Sequence, residues 1–239
     1  MIRLAIDTST EAFSVAVEKD GVVEQEFDLA PRKHGELMLP AIKRLLAKRG
    51  VSINQVEQIV YGRGPGAFTG IRIAISAAQG LALGVGCSLI GISSLQNLAL
   101  QAFENTSANY AVVAMDARMG EVYFAVYKRT LNEANQLVPQ LVGEEQVIKP
   151  EEVEVVNIDE SIVAIGSAWD VYADVLSQAL GYNFSSPLIN YYPDAKANLT
   201  LAQLPEHHAS AHRPEQAVPS YLRNNVAEKS TKPSLIKPK

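Results

Sequence analysis

The chain has 239 residues, 47% hydrophobic and 20% charged, with a formal charge of −5. That balance excludes a disordered polypeptide and fits one large globular domain or two modest ones. The negative charge gives no electrostatic footprint for gripping nucleic acid, so any phosphate contacts come from elsewhere.

Ile2, Leu4 and Ile6 alternate as a strand over residues 2–6. Strands at 13–18 and 22–27 follow, joined by Asp20-Gly21, whose positive φ angles suit a tight hairpin. Leu37, Met38, Ala41, Ile42, Leu45 and Leu46 share one face of a helix over 35–49, with Lys43, Arg44, Lys48 and Arg49 near its C-terminus and Gly50 as the stop. His34 reads as a helix-start residue. A short strand at 58–61 enters Gly62–Gly70, where four glycines in nine residues precede a helix over 69–85. Such a loop can cradle a phosphate. The Lys-Ser/Thr ending of a P-loop is replaced by Phe68-Thr69-Gly70, however, and the dinucleotide spacing fails, so a tight strand-to-helix corner is favoured.

The helix over 69–85 is apolar almost all round, which demands burial on every side. Gly70, Ala74, Ala77, Ala78 and Gly84 admit close approach of another helix. The cover comes either from the chain's own domain or from a second protein. No charge occurs from Ile73 to Phe103, long enough to span a bilayer, yet glycines, serines and glutamines divide it into helix, strand and helix of a soluble core. Asp7 interrupts the first apolar run, so residues 1–6 are not a signal peptide. A single cysteine, Cys87, suits a reducing, intracellular compartment and reads as a buried filler.

Strands at 88–92, 110–115, 121–127 and 161–165 and helices at 95–103, 168–180 and 194–203 complete the pattern, with a polar loop near 131–136. Two stretches open alike: a strand ending in an acid, a turn, then a second strand, at Ile6-Asp7-Thr8-Ser9 and again at Met115-Asp116-Ala117-Arg118. They predict two α/β halves, 1–104 and 105–227, and a tail at 228–239. His207, His208 and His212 have a spacing that could bind metal, but the weak patterning around them weighs against it. A lone acid such as Asp7 or Asp116 at a strand end is commonly a turn residue.

Ile6-Asp7-Thr8-Ser9, Gly64-Pro65-Gly66-Ala67-Phe68-Thr69-Gly70-Ile71-Arg72, Met115–Tyr123 and Pro219-Ser220-Tyr221-Leu222-Arg223 together resemble the bacterial TsaB (YeaZ) family. The resemblance implies an ASKHA (actin-like ATPase) two-lobed fold, each lobe a mixed sheet flanked by helices. It implies a cytoplasmic, non-catalytic scaffold for threonylcarbamoyladenosine synthesis in tRNA. TsaD would be the catalytic partner, TsaE a further member of the complex, a homodimer the form adopted alone, and tRNA an indirect partner. The partner-facing helices would be 35–49 and 69–85, with Leu37, Met38, Ala41, Ile42, Leu45, Arg72, Ala74, Ile75, Ala78, Leu81 and Ala82 at the interface. Asp7, Asp116 and Gly166 are the weak candidates for nucleotide binding; ATP and metal are expected on the partners. Where the catalytic paralogue has a metal-binding His pair this chain has Ser94 and Leu98, and Gly166-Ser167-Ala168 would crowd an adenine nucleotide. The competing functions are an actin-like kinase or ATPase using Asp7 and Asp116, and a metallopeptidase-like protein.

Overall fold

The structure, a computed structural model, describes residues 1–154, 158, 160–184 and 186–223. The expected tail at 228–239 lies outside the described residues.

Two mixed sheets carry the fold. The first has the order β3-β2-β1-β4-β5, from β1 (Ile2–Asp7), β2 (Ala12–Lys19), β3 (Val22–Leu29), β4 (Gln58–Gly64) and β5 (Ser88–Ser93). The second has the order β8-β7-β6-β9, from β6 (Tyr110–Arg118), β7 (Glu121–Leu131), β8 (Leu137–Ile148) and β9 (Ile162–Ile165). Each is an antiparallel meander whose first strand also pairs in parallel with a later one, β1 with β4 and β6 with β9. The weak sequence repeat is therefore a repeat of topology. Positive φ angles form both opening hairpins, at Asp20-Gly21 and at Met119-Gly120.

The sequence pattern missed β8. Pro139, Gly143 and Glu144-Glu145 break its apolar alternation, which an edge strand tolerates because one of its backbone edges needs no partner strand. The helix expected over 168–180 is two, α4 (Ala168–Val171) and α5 (Ala173–Leu180), broken where Tyr172 leaves helical geometry at φ −119°. A short helix, α7 (Pro205–Ala209), was also unforeseen.

On one face of the first sheet lie α1 (His34–Lys48) and α2 (Phe68–Val85), packed on Leu4, Ile6, Val15, Val17, Ile59 and Tyr61. Strand alternation turns Ala5, Ala16 and Val60 to the opposite face, where α6 (Ala195–Leu201) covers them from near the end of the described chain. Between the sheets runs α3 (Ser94–Asn105), with nine of twelve residues buried. Its Leu100 joins the first sheet's lower core, while Leu95, Leu98, Ala99, Ala102 and Phe103 pack on Ala111, Val113, Met115 and Tyr127 of the second.

By length and composition α2 could cross a membrane, at mean hydropathy 1.4, a test that core helices also pass. Its inner face is sealed, with Gly70, Ile71, Ala74, Ile75, Ala78 and Ala82 buried. Burial on every side was the expectation; Ser76, Gly80, Leu83 and Gly84 are instead exposed.

Candidate functional site: the cleft between the sheets

A cleft of about 770 Å³ opens between the two lobes, within the range that small-molecule and cofactor sites occupy. Its walls come from the β1–β2 turn (Ser9, Thr10, Glu11), the start of α2 (Gly66–Phe68, Ile71, Arg72), the end of β6 (Met115–Arg118), α4 with Ser167, and the segment Ser220–Arg223.

The glycine loop is built for backbone contact. A Cβ at Gly62 would lie 2.2 Å from Asp7 Oδ2, one at Gly66 2.1 Å from Ser9 O, and one at Gly70 2.0 Å from Thr8 O. Hydrogen bonds lock the same approach: Ala67 N–H donates to Ser9 O at 2.7 Å and Thr8 Oγ1 to Gly70 O at 2.7 Å. These glycines make the tight corner, pressing the start of α2 onto the β1–β2 turn.

Asp7 stands beneath that corner, 1% exposed and away from the cleft lining. Its Oδ1 accepts Ser9 N–H at 2.9 Å and Ser9 Oγ–H at 2.7 Å, and its Oδ2 accepts Asn198 Nδ2–H at 2.9 Å. Burial raises its pKa from the ordinary 3.8, against the pull of the Ser9 and Asn198 hydrogen bonds. Asp194, the cap of α6, is raised too, chiefly by burial, with the hydrogen bond from Ala197 opposing and the nearby Asp7 charge adding. A raised acid keeps its proton in the native state at pH values where the unfolded chain has lost it. Its contribution to stability therefore falls as pH rises from 3.8 through the folded pKa and is flat above. Asp7→Asn is expected to flatten that fall in urea-denaturation midpoints taken from about pH 3.5 to about pH 6. A slope equal to the wild type's would show that Asp7 does not titrate there.

Asp116 does line the cleft. Its carboxylate accepts Arg118 N–H and Nη1–H, both at 2.8 Å, and its own N–H donates to Ser167 Oγ at 3.1 Å. Gly166 sits behind it at φ +113°, and a Cβ there would fall 2.4 Å from Ala114 O. The three weak nucleotide-binding candidates are thus not gathered into one constellation: Asp116 is at the wall, Asp7 and Gly166 are packed behind it. Ser94 and Leu98 are fully buried in α3.

The histidines do not converge either. His212 bonds Tyr61 Oη at 3.1 Å and Ser210 O at 2.9 Å, and among the described residues no three His, Cys, Asp or Glu side chains gather. Burial lowers the pKa of His207 and raises that of Cys87. His34 opens α1, 6% exposed, with Nε2 3.3 Å from Glu11 O.

Sequence reasoning placed Arg72 at a partner interface but assigned no role to Phe68, Tyr221 or Arg223 at the cleft mouth. The Phe68 and Tyr221 rings stack at 6.3 Å, and the Arg72 guanidinium lies 3.2 Å over Phe68 and 5.3 Å from Tyr221. Arg223 reaches from the last described residue to Glu121. The signal was present as the block Pro219–Arg223, which carries no local periodicity.

The four sequence blocks that carried the resemblance all end at this cleft or in the corner beneath it. A family profile described as TsaD, tRNA N6-adenosine threonylcarbamoyltransferase, matches residues 15–231. The tRNA threonylcarbamoyladenosine biosynthesis protein TsaB of Escherichia coli is 40% identical over 231 residues, 95% of this chain and 96% of that one. This chain belongs to the TsaB family. The Haemophilus influenzae TsaB is 39% identical, with 95% of each chain covered. The structure of YeaZ from Pseudomonas aeruginosa is 35% identical with a TM-score of 0.83, covering 92% of this chain and 99% of that one.

For this TsaB-family chain the expected interface residues fall into two groups. Met38, Ala41, Ile42, Leu45, Ala74, Ile75, Ala78 and Ala82 are buried where α1 and α2 meet their own sheet, none more than 6% exposed. They are core and present no surface. Leu37 and Leu81 are half-buried, and Arg72 is exposed at the cleft mouth. The small residues that admit close approach are likewise divided. Gly70, Ala74 and Ala78 face inward, Ala77 is half-buried and Gly84 is exposed on the open side of α2, where Ser76 and Gly80, not among those expected, are exposed too.

Proposed function

We propose that this chain is a non-catalytic partner of TsaD, required for threonylcarbamoyl transfer to the adenosine adjacent to the anticodon in tRNA. In this reading the lobes, 1–104 and 105–227, form a scaffold in the cytoplasm. TsaD docks on the exposed side of α2, TsaE joins the complex, and a homodimer uses the same face when the chain is alone. ATP and metal belong to the partners, and tRNA is engaged through them.

The observation that carries the reading is α2, a long apolar helix with one face sealed and the other, Ser76-Gly80-Gly84 flanked by Leu83, left open. Small residues on an open apolar face let a second helix approach closely, and such burial drives association. The sealed Asp7 and the full burial of Ser94 and Leu98 support assigning the chemistry to the partner.

The test is threonylcarbamoyl transfer to tRNA by purified TsaD and TsaE, supplied with the activated threonylcarbamoyl donor, with and without this chain. Modification should require the chain. Gly80→Arg should abolish both pairing and modification while leaving the fold intact, because Gly80 is exposed and a Cβ there meets nothing within 4 Å in the monomer. Full modification without the chain would overturn the partner role. Undisturbed pairing by the Gly80→Arg variant would move the interface elsewhere.

A further inference from the structure

We propose that residues 212–223 form a strap that ties the two lobes together across the cleft and limits its opening, with Arg223 as its releasable clasp. As far as Ser220 the strap packs on the first lobe. His212 and Leu89 exchange two backbone hydrogen bonds of 2.9 Å at the edge of β5. Gln79 of α2 donates to Pro214 O at 2.9 Å and Ala217 O at 3.4 Å. Ala217 is buried in the first core, and Ser220 N–H donates to Arg63 O at 2.8 Å.

Within the next three residues the strap crosses to the other lobe. Tyr221 stacks on Phe68, and Leu222 packs against the cluster shared by α3 and the second sheet. Among the described residues, the Arg223 guanidinium then binds only the β6–β7 hairpin. It donates to Ala117 O at 3.3 Å, Arg118 O at 3.4 Å and Met119 Sδ at 3.2 Å, and pairs with Glu121.

The lobes are also joined at depth, by contacts of a different kind. α3, which packs on the second sheet through Leu95, Leu98 and Phe103, is tied to α6 on the first by Asn97 Nδ2, which donates to Asp194 O and Asn198 Oδ1, each at 2.8 Å. Glu145 of β8 also pairs with the buried Ser93 at the end of β5. Buried, partnered groups of this kind are costly to separate. The clasp is different: its Arg223 and Glu121 side chains are 20% and 32% exposed, and Arg223 Nε is buried with no partner among the described residues. A half-hydrated pair with two long contacts is the weaker of the joints and yields first. The deep joint thus serves as hinge and the strap as tie, making Arg223 a positioning residue.

The proposal is tested by pulsed electron spin resonance between labels on opposite walls, at Thr69→Cys and Val171→Cys in a Cys87→Ser background of the full chain. Arg223→Ala is expected to lengthen and broaden the distance distribution, shifting the closed-to-open ratio roughly tenfold. Lys128→Ala, which removes an exposed ion pair with Glu160 on the same lobe, should leave it unchanged. A folded Arg223→Ala variant with the parent distribution would overturn the proposal. If that variant does not fold, Glu121→Gln decides on the same readout: a shift to longer distances supports the clasp, and an unchanged distribution defeats it.

Discussion

Ala78→Arg should unfold the chain, with a cost above about 4 kcal/mol. Ala78 is 0% exposed, in the same core cluster as Met38, Ala41 and Leu45 of α1 and Ile59 and Tyr61 of β4. An arginine there adds a long side chain to a space filled by a methyl group and places a charge among the apolar neighbours of that core. Loss of pairing by that variant would therefore say nothing about an interface. The discriminating comparison is Gly80→Arg, two residues further along α2 on its open side. Circular dichroism and urea denaturation should find Ala78→Arg unfolded and Gly80→Arg native. A native Ala78→Arg would mean that α2 stands further from its sheet than the packing shows.

The second large effect is Gly70→Ala. Both positions 70 and 80 lie within α2, and helix propensity alone predicts that alanine stabilises each by up to about 1 kcal/mol. At Gly80 that should hold, because its Cβ would enter open space. At Gly70 the Cβ would lie 2.0 Å from the carbonyl oxygen of Thr8, whose side chain is bonded back to Gly70 O. Backbone on both sides leaves no flexible atom to give way, so the clash overwhelms propensity and costs more than about 3 kcal/mol. Opposite signs for the same substitution ten residues apart, read from urea midpoints, would establish the corner. A stabilised Gly70→Ala would refute it.

How far the sequence reveals this molecule depends on whether a signal is local. β1 to β3 and α1 were legible because alternation, a turn dipeptide and a 3.6-residue period all lie within short windows. The core membership of Met38, Ala41, Ile42 and Leu45 follows from the same period. β8 was not legible, since an edge strand accepts Pro139 and Gly143 without penalty. For α2 composition gave the burden of apolar surface but not its direction. Which small residues face the sheet is set by Thr8 and Ser9, some sixty positions away. The cleft illustrates the limit most sharply. Asp7 at the end of a strand has the same local look whether it faces solvent or accepts a hydrogen bond from Asn198, and only the return of α6 decides between them.

That return has a consequence for the order of synthesis. The face of β1 and β2 carrying Ala5, Asp7 and Ala16 is finished by residues 195–201, with Ala195 N–H on Ser14 Oγ at 2.9 Å. A nascent chain leaving the ribosome has all five strands of its first sheet, and the helices for one side, long before the cover for the other exists. During that interval an acid and an apolar surface face water together. The first half cannot reach its final state until residues 195–201 have emerged, so translation speed and chaperone capture over the intervening hundred or so residues bear directly on yield.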